Sequence, residues 1–316
     1  MAKLLKTSRN CPISGSNQAY LVSEKDRHGE PLRNVISKDS GLIFVDPVPF
    51  ENTEEFYKTD YRKSYKGVHQ PKPKHIYRAG LVALERHQRI RALVAENAIT
   101  LDAGSSSGEF VYLMKSRGFQ AQGVEANQPY AEYSQNELGI DVEVQPFSEF
   151  HAKEKFDLIT MFHVLEHLEH PIRDLSHLSN TLKDDGVFII EVPNILYPDM
   201  AFRNKWHPGH LFSYSQETLS ALGQAVGLKV IDCAPFGDGG NLWGVFKKSH
   251  EKNGVHKGAN SKLAEQTLTT LQRGALSYYK NPRNYFKVFK KLARQAIETR
   301  GSRKKTTKQI LNSLYL

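Results

Sequence analysis

Three short stretches hold residue types that can do chemistry. "LDAGSSSGEF" at 101–110 sets a carboxylate, two glycines and three serines directly after an apolar run. A strand that ends in a carboxylate and runs through a small-residue turn into a helix presents free backbone N–H groups at its carboxyl end. That arrangement suits a nucleotide-like ligand. A dinucleotide pyrophosphate is disfavoured, because the G-x-G-x-x-G fingerprint needs glycines where Ser106 and Glu109 stand. The other two stretches, "FDLITMFHVLEHLEHP" at 156–171 and "KWHPGHLFSYSQETL" at 205–219, concentrate histidines, the side chains that exchange protons near neutral pH.

His163 and His167 lie four apart with Glu166 between them, so a metal reading competes with a proton-transfer one. In the H-E-x-x-H pattern the glutamate directly follows the first histidine. Here it precedes the second, and a strand-to-helix break separates the pair, so no metal is expected. Proton transfer remains, with His167 and His210 as candidate general bases and Tyr214 and His207 as secondary ones.

The elements that must position these residues alternate in period. Leu81, Leu84, Ile90, Leu93 and Val94 have helical spacing. Seven apolar runs follow: "AITLDAG", "QAQGVEAN", "DVEVQP", "FDLITMF", "GVFIIEVPN", "LKVIDCAPF" and "NLWGVFKK". Helix-like segments such as "GEFVYLMKSRG" and "PIRDLSHLSNTLKDDG" separate the first five. The pattern predicts a Rossmann-like α/β fold, a seven-stranded, mostly parallel sheet with helices on both faces. Only "GDGG" separates the last two runs, which predicts a C-terminal antiparallel hairpin.

Two cysteines, Cys11 and Cys233, are too few for a disulfide scaffold in a chain of 316 residues. No apolar stretch follows the basic start "MAKLLKTSRN", and no run approaches the ~20 apolar residues of a membrane span. A cytoplasmic location without a transmembrane segment is expected. Residues 247–316 carry 17 lysines and arginines against 3 acidic residues, whereas the whole chain has a net charge of +9, so the preceding region is acidic. The expected organisation is an N-terminal subdomain at 1–75, with "FENTEEFYKTDYRKSY" as a helix, a main domain at 76–248, and a linker with a basic helical tail at 249–316. A basic tail interleaved with Tyr278, Tyr279, Tyr285 and Phe286 suits an anionic surface, a phosphate-bearing ligand or nucleic acid.

Asp102, Gly104 and Gly108 resemble motif I of the class I S-adenosylmethionine-dependent methyltransferases, with Ser106 replacing the middle glycine. The string "FHVLEHLEHP" resembles the segment of the small-molecule branch that includes ubiquinone-biosynthesis and sugar methyltransferases. The resemblance covers about residues 80–246. It implies S-adenosylmethionine as cofactor, held by Asp102, Gly104, Ser105, Ser106 and Gly108 at its amino-acid end. Glu125 and Ala126 would lie at the ribose, Phe147 at the adenine, and Phe162 and His163 beside the cofactor, with His167 toward the acceptor. "HPGHLFSYS" is similar to a segment of sugar C-methyltransferases in which a His-Glu pair assists deprotonation. His210 matches the second histidine, but Gly209 stands at the glutamate. Oxygen is therefore the expected methyl acceptor, as part of a sugar, nucleotide sugar or glycan precursor. The rival expectations are an RNA methyltransferase that uses the basic tail and a non-catalytic binding module.

"CPISGS" and "ISKDSGLIFVDPVPF" resemble the zinc ribbon attached to sugar methyltransferases. Only Cys11 keeps a metal ligand, and Ser14, Ser37 and Ser40 fill the other positions. One thiol cannot hold a tetrahedral structural zinc, which implies a degenerate ribbon without metal that helps form the substrate site.

Overall fold

The computed structural model describes residues 3–51, 70–249, 261–284 and 287–316. The helical candidate at 50–65 and most of the linker at 249–261 lie outside them. Two sheets organise the chain. The first contains β1 (Leu4–Lys6), β2 (Gln18–Lys25), β3 (Pro31–Ser37) and β4 (Ile43–Val45). The second contains β5 (Ile99–Ala103), β6 (Gln120–Glu125), β7 (Val142–Val144), β8 (Phe156–Phe162) and β9 (Leu182–Pro193). A two-residue strand, β10 (Phe212–Ser213), joins the first sheet, and β11 (Leu228–Phe236) and β12 (Asn241–Lys248) complete the second.

The second sheet has seven strands in the order β11-β12-β9-β8-β5-β6-β7. Strand β5 pairs in parallel with β6 and β8, and β6 with β7. The expected hairpin is present, with β11 antiparallel to β12 from Leu228↔Lys248 to Phe236↔Asn241. This is the Rossmann-like methyltransferase fold. One segment differs from expectation. The helix α4 (Pro171–Asn180) stops at Asn180, and "LKDD" already belongs to β9. Leu182 is fully buried and Lys183 Nζ binds Asp157 Oδ1 at 2.8 Å, so burial and an ion pair favour extension there over another helical turn.

By compactness the chain forms two interleaved units: 1–51, 162–179 and 189–285 in one, and 52–161, 180–188 and 286–316 in the other. In the first unit, β10 pairs antiparallel with β4, Phe212 against Phe44, so the loop carrying the second histidine motif is the last strand of the N-terminal sheet. Helix α6 (Ser261–Lys280) packs there too. Ala264 and Leu271 share a core with Ile36, Ile43, Ile195 and Trp206.

In the second unit lie α1 (Pro73–Ile90), α2 (Glu109–Ser116), α3 (Gln128–Leu138), α7 (Lys287–Ser302) and α8 (Thr307–Tyr315). The buried face of α1 is Ile76, Gly80, Ala83 and Ile90, not the face of Leu81, which is 42% exposed. Small residues win because another helix needs close approach. A Cβ at Gly80 would lie 2.8 Å from Leu314 Cδ1 and 2.9 Å from Leu311 Cδ2. The end of the basic region is thus a packed element: Ile310, Leu311 and Tyr315 are buried, Tyr112 donates to Asn312 at 2.7 Å and Tyr133 bonds Thr307. Arg78 also grips Glu298 of α7 with two bonds of 2.6 and 2.5 Å. Gly80→Val is expected to destabilise the protein by about 1–3 kcal/mol through overpacking. Hydrogen exchange should show α8 losing protection first, and an unchanged melting curve would refute this account of its docking.

Candidate functional site

In the second unit, β5 delivers Asp102 to its carboxyl end, where the residue is 6% exposed and Oδ1 accepts from Thr160 Oγ1 at 2.7 Å. Burial raises its pKa to about 6. The Thr160 bond and Arg86 work against that rise, and Glu125 and Glu109 add to it. The chain then turns through Gly104, Ser106 and Gly108, with φ of 83°, 51° and 83°. Only glycine adopts this region without cost, and Ser106 occupies it with a side chain. A Cβ at Gly108 would sit 2.9 Å from that of Ser134, so this glycine is needed for α2 to start.

Glu125, at the end of β6, holds the turn from outside. Its Oε2 accepts from Ser106 N at 2.8 Å and its Oε1 from Asn127 N at 2.9 Å. Each oxygen retains a second lone pair, so the bidentate grip on a ribose diol expected of Glu125 stays open. Ala126 is half-buried beside it and Phe147 is 8% exposed in a turn after β7. The Ser105 hydroxyl is buried without a hydrogen-bond partner among the described residues. A buried carboxylate for an ammonium, a cradle of left-handed residues and an orphaned hydroxyl fit a ligand with an amino-acid and a nucleoside end. Eight of the ten residues expected at the cofactor therefore gather in one unit.

Phe162 and His163 fall in the other unit, with His167, His210 and Tyr214. Phe162 stacks on Trp243 at 5.8 Å between centroids. His163 has φ 55°, and its ring is held between two carboxylates, Nδ1 3.3 Å from Glu166 Oε1 and Nε2 3.2 Å from Glu191 Oε1. Burial alone would lower its pKa, but hydrogen bonding to and attraction by Glu166 and Glu191 raise it to about 9. The side chain is nonetheless 39% exposed, so this cation is ringed by protein and still reachable by water. Asn241 fixes Glu191 from the other side at 2.7 Å.

His167 follows in a 3-10 turn, Leu165–His167, with Nδ1 2.6 Å from the Gly209 carbonyl. Its ring meets that of His210 edge-on at 4.8 Å, and His210 stacks on His207 at 4.3 Å. Burial first, then His167, His207 and His163, hold the His210 pKa well below its ordinary value. Burial takes His207 down to about 3. Tyr214 is fully buried, its hydroxyl has no partner among the described residues, and burial drives its pKa well above 10. It keeps its proton at neutral pH.

Sequence reasoning weighed Glu166 only as a metal ligand and missed Glu191. Glu191 did leave a signal, a lone carboxylate within the apolar run "VFIIEV", a position that burial forbids unless the charge is paired. A group expected without metal also includes three atoms that could ligate one. Glu166, His167 and His210 offer ligand atoms within 4.8 Å of one another.

A family model described as methyltransferase domain matches residues 75–232. No curated protein matches the chain. Among solved structures, the chain is similar to the 1,6-didemethyltoxoflavin-N1-methyltransferase of Burkholderia thailandensis, at 18% identity and a TM-score of 0.48, over 67% of this chain and 97% of that one. It is also similar to the magnesium protoporphyrin IX methyltransferase of Synechocystis PCC 6803, at 12% identity and 0.48, over 62% and 98%. A third is the TehB-like methyltransferase of Corynebacterium glutamicum, at 19% and 0.42, over 62% and 98%. With the family matched across half its length, the turn at Asp102 and the histidine motifs included, the chain belongs to the methyltransferase-domain family as a class I S-adenosylmethionine-dependent enzyme.

Proposed function

We propose that the enzyme methylates a hydroxyl of a small molecule, a sugar, nucleotide sugar or glycan precursor. The observation that carries this reading is the cluster of His167 and His210 beside the buried carboxylate of Glu166, with His210 on the loop that leads into a strand of the N-terminal sheet. When bound, the cofactor supplies a methyl group on a sulfonium, a good leaving group. Asp102 meets its ammonium, the Gly104–Gly108 turn its carboxylate, Glu125 its ribose and Phe147 its adenine. The acceptor hydroxyl lies against the histidine cluster, where His167 or His210 takes its proton as the oxygen attacks. Tyr214 shapes the wall. The N-terminal sheet forms the acceptor side as a zinc-ribbon relative that has lost its metal, and the basic region at 262–316 favours phosphate-bearing acceptors.

The support for the metal-free ribbon is local. Cys11 Sγ lies 3.1 Å from Ser40 Oγ, and Ser14 Oγ 3.3 Å from Ser37 Oγ, so hydrogen bonds join the four positions. Cys11→Ser is accordingly expected to leave the fold and methyl transfer intact, and loss of folding with loss of a bound ion would refute it.

Calorimetric titration of S-adenosylhomocysteine tests the cofactor site. Glu125→Ala is expected to weaken binding by at least ten-fold, roughly the 1.4 kcal/mol lost with one ionic hydrogen bond. Asp102 has its pKa raised to about 6, so it is a carboxylate above that pH and a neutral acid below it. Affinity should therefore fall as pH drops through 6, by about ten-fold per unit. A pH-independent affinity would remove Asp102 from contact with the ammonium. Methyl transfer itself is tested with labelled cofactor and a panel of nucleotide sugars. His210→Ala and His167→Ala should lower kcat by about 10²–10⁴ for whichever histidine is the base. Transfer to RNA and to no sugar would overturn the acceptor assignment.

A further inference from the structure

Glu166 is 1% exposed, and among the described residues its carboxylate oxygens face imidazoles at 3.3 Å and beyond without a hydrogen bond of good geometry. A buried carboxylate held this loosely has room for a further donor, water or ion. Its nearest cationic or imidazole neighbours are His163 Nδ1 at 3.3 Å and His167 Nε2 at 3.9 Å. Two carboxylates, Glu166 and Glu191, flank one imidazole, His163, so the pocket is rich in negative charge.

The imidazoles are arranged to receive a cation. His167 Nδ1 faces the Gly209 carbonyl at 2.6 Å, and a carbonyl only accepts, so this nitrogen carries the proton. In the neutral ring the lone pair is then on Nε2, the atom that faces Glu166. A ligating histidine is held in this way, with its other nitrogen donating to a carbonyl or carboxylate, and a ligating carboxylate has a hydrogen-bonding neighbour of its own. His163, with Nδ1 3.3 Å from Glu166 Oε1, is the neighbour placed for that role here. Two imidazoles and one carboxylate form a recognised donor set for divalent transition metals and leave coordination positions open.

We infer that Glu166, His167 and His210 bind one divalent transition-metal cation. Ligand atoms within 4.8 Å of one another close onto an ion at about 2.0–2.2 Å with small side-chain shifts. The inference rests on reading this cluster as the acceptor end of the site, and it refines that reading. A ligated imidazole has no lone pair for a proton, so in the loaded enzyme the ion acidifies the acceptor hydroxyl by coordination.

The test uses the full chain stripped with a chelator and then titrated with Co²⁺, followed by its visible absorption, and with Zn²⁺ by calorimetry. One ion per chain is expected, without a thiolate charge-transfer band. Glu166→Gln and His210→Ala should each weaken binding about ten-fold or more while still binding S-adenosylhomocysteine, which shows that they are folded. Cys11→Ser should bind like the wild type. The inference is overturned if the folded wild type takes up no stoichiometric ion, if both variants bind as tightly, or if Cys11→Ser alone loses the ion. Methyl transfer that persists in chelated enzyme overturns the cation's role and leaves the imidazole base standing. Cation binding without transfer to any hydroxyl acceptor overturns the acceptor reading and leaves the site.

Discussion

The histidine cluster depends on how one buried residue, Glu166, is used in two ways. Its carbonyl accepts from Leu211 N at 2.8 Å, which pins the loop of the second histidine motif to the first. The Leu211 carbonyl in turn accepts from Val45 N at 2.9 Å and from Arg9 Nη2 at 3.4 Å, which pins that loop to the N-terminal sheet. Its side chain then stands among His163, His167 and His210. Burying a carboxylate costs several kcal/mol unless its charge is met, so the backbone around it must be firmly held. Arg9 contributes to that hold. Its guanidinium lies 5.3 Å from the Phe44 ring and 4.8 Å from that of Phe212, the two residues that face each other where β10 joins the sheet. Charge and chain path are therefore set by the same contacts.

The turn after β5 solves a different problem, holding a strained backbone in one shape before any ligand arrives. A left-handed non-glycine residue costs roughly 1–2 kcal/mol, and Ser106 incurs that cost. The compensation is its N–H, which donates to Glu125. The same carboxylate takes Asn127 N, and Asn127 caps α3 by accepting from Tyr130 N. Turn, strand end and next helix are thereby fixed around one acceptor, so a ligand meets a carboxylate already oriented and does not have to order it.

What was legible in the sequence follows from signal length. Seven apolar runs and the "GDGG" break are long-range patterns, and the sheet and its hairpin followed from them. β10 is two residues long, too short to show a period, so the union of the second histidine motif with the N-terminal sheet could not be read in advance. The partners of His163 were hidden for another reason. Glu191, and Asn241 that binds it, come from neighbouring strands of the sheet, distant in sequence, and no spacing rule links them to "HVLEH". On α1 the helical spacing included Ile90, which is buried, and Leu81, which is 42% exposed, because close helix packing selects Gly80 and Ala83.

The N-terminal turns are closed by their own backbone. Gly15 N bonds the Cys11 carbonyl at 2.8 Å, and Gly41 N bonds that of Ser37 at 2.9 Å, with both glycines left-handed at φ 68° and 72°. The backbone thus closes both turns without side-chain ligands. A small sheet alone would still need a staple, but this one has others. Asp46 takes Ser8 N at 2.9 Å and pairs with Arg33 at 2.5 Å, and Gly41 lies so near α6 that a Cβ there would meet Leu263 Cγ at 2.8 Å. Once β10 and α6 cover a sheet, its stability comes from a shared hydrophobic core. Cys11, Ser14, Ser37 and Ser40 are then side chains of turns whose backbone already closes them.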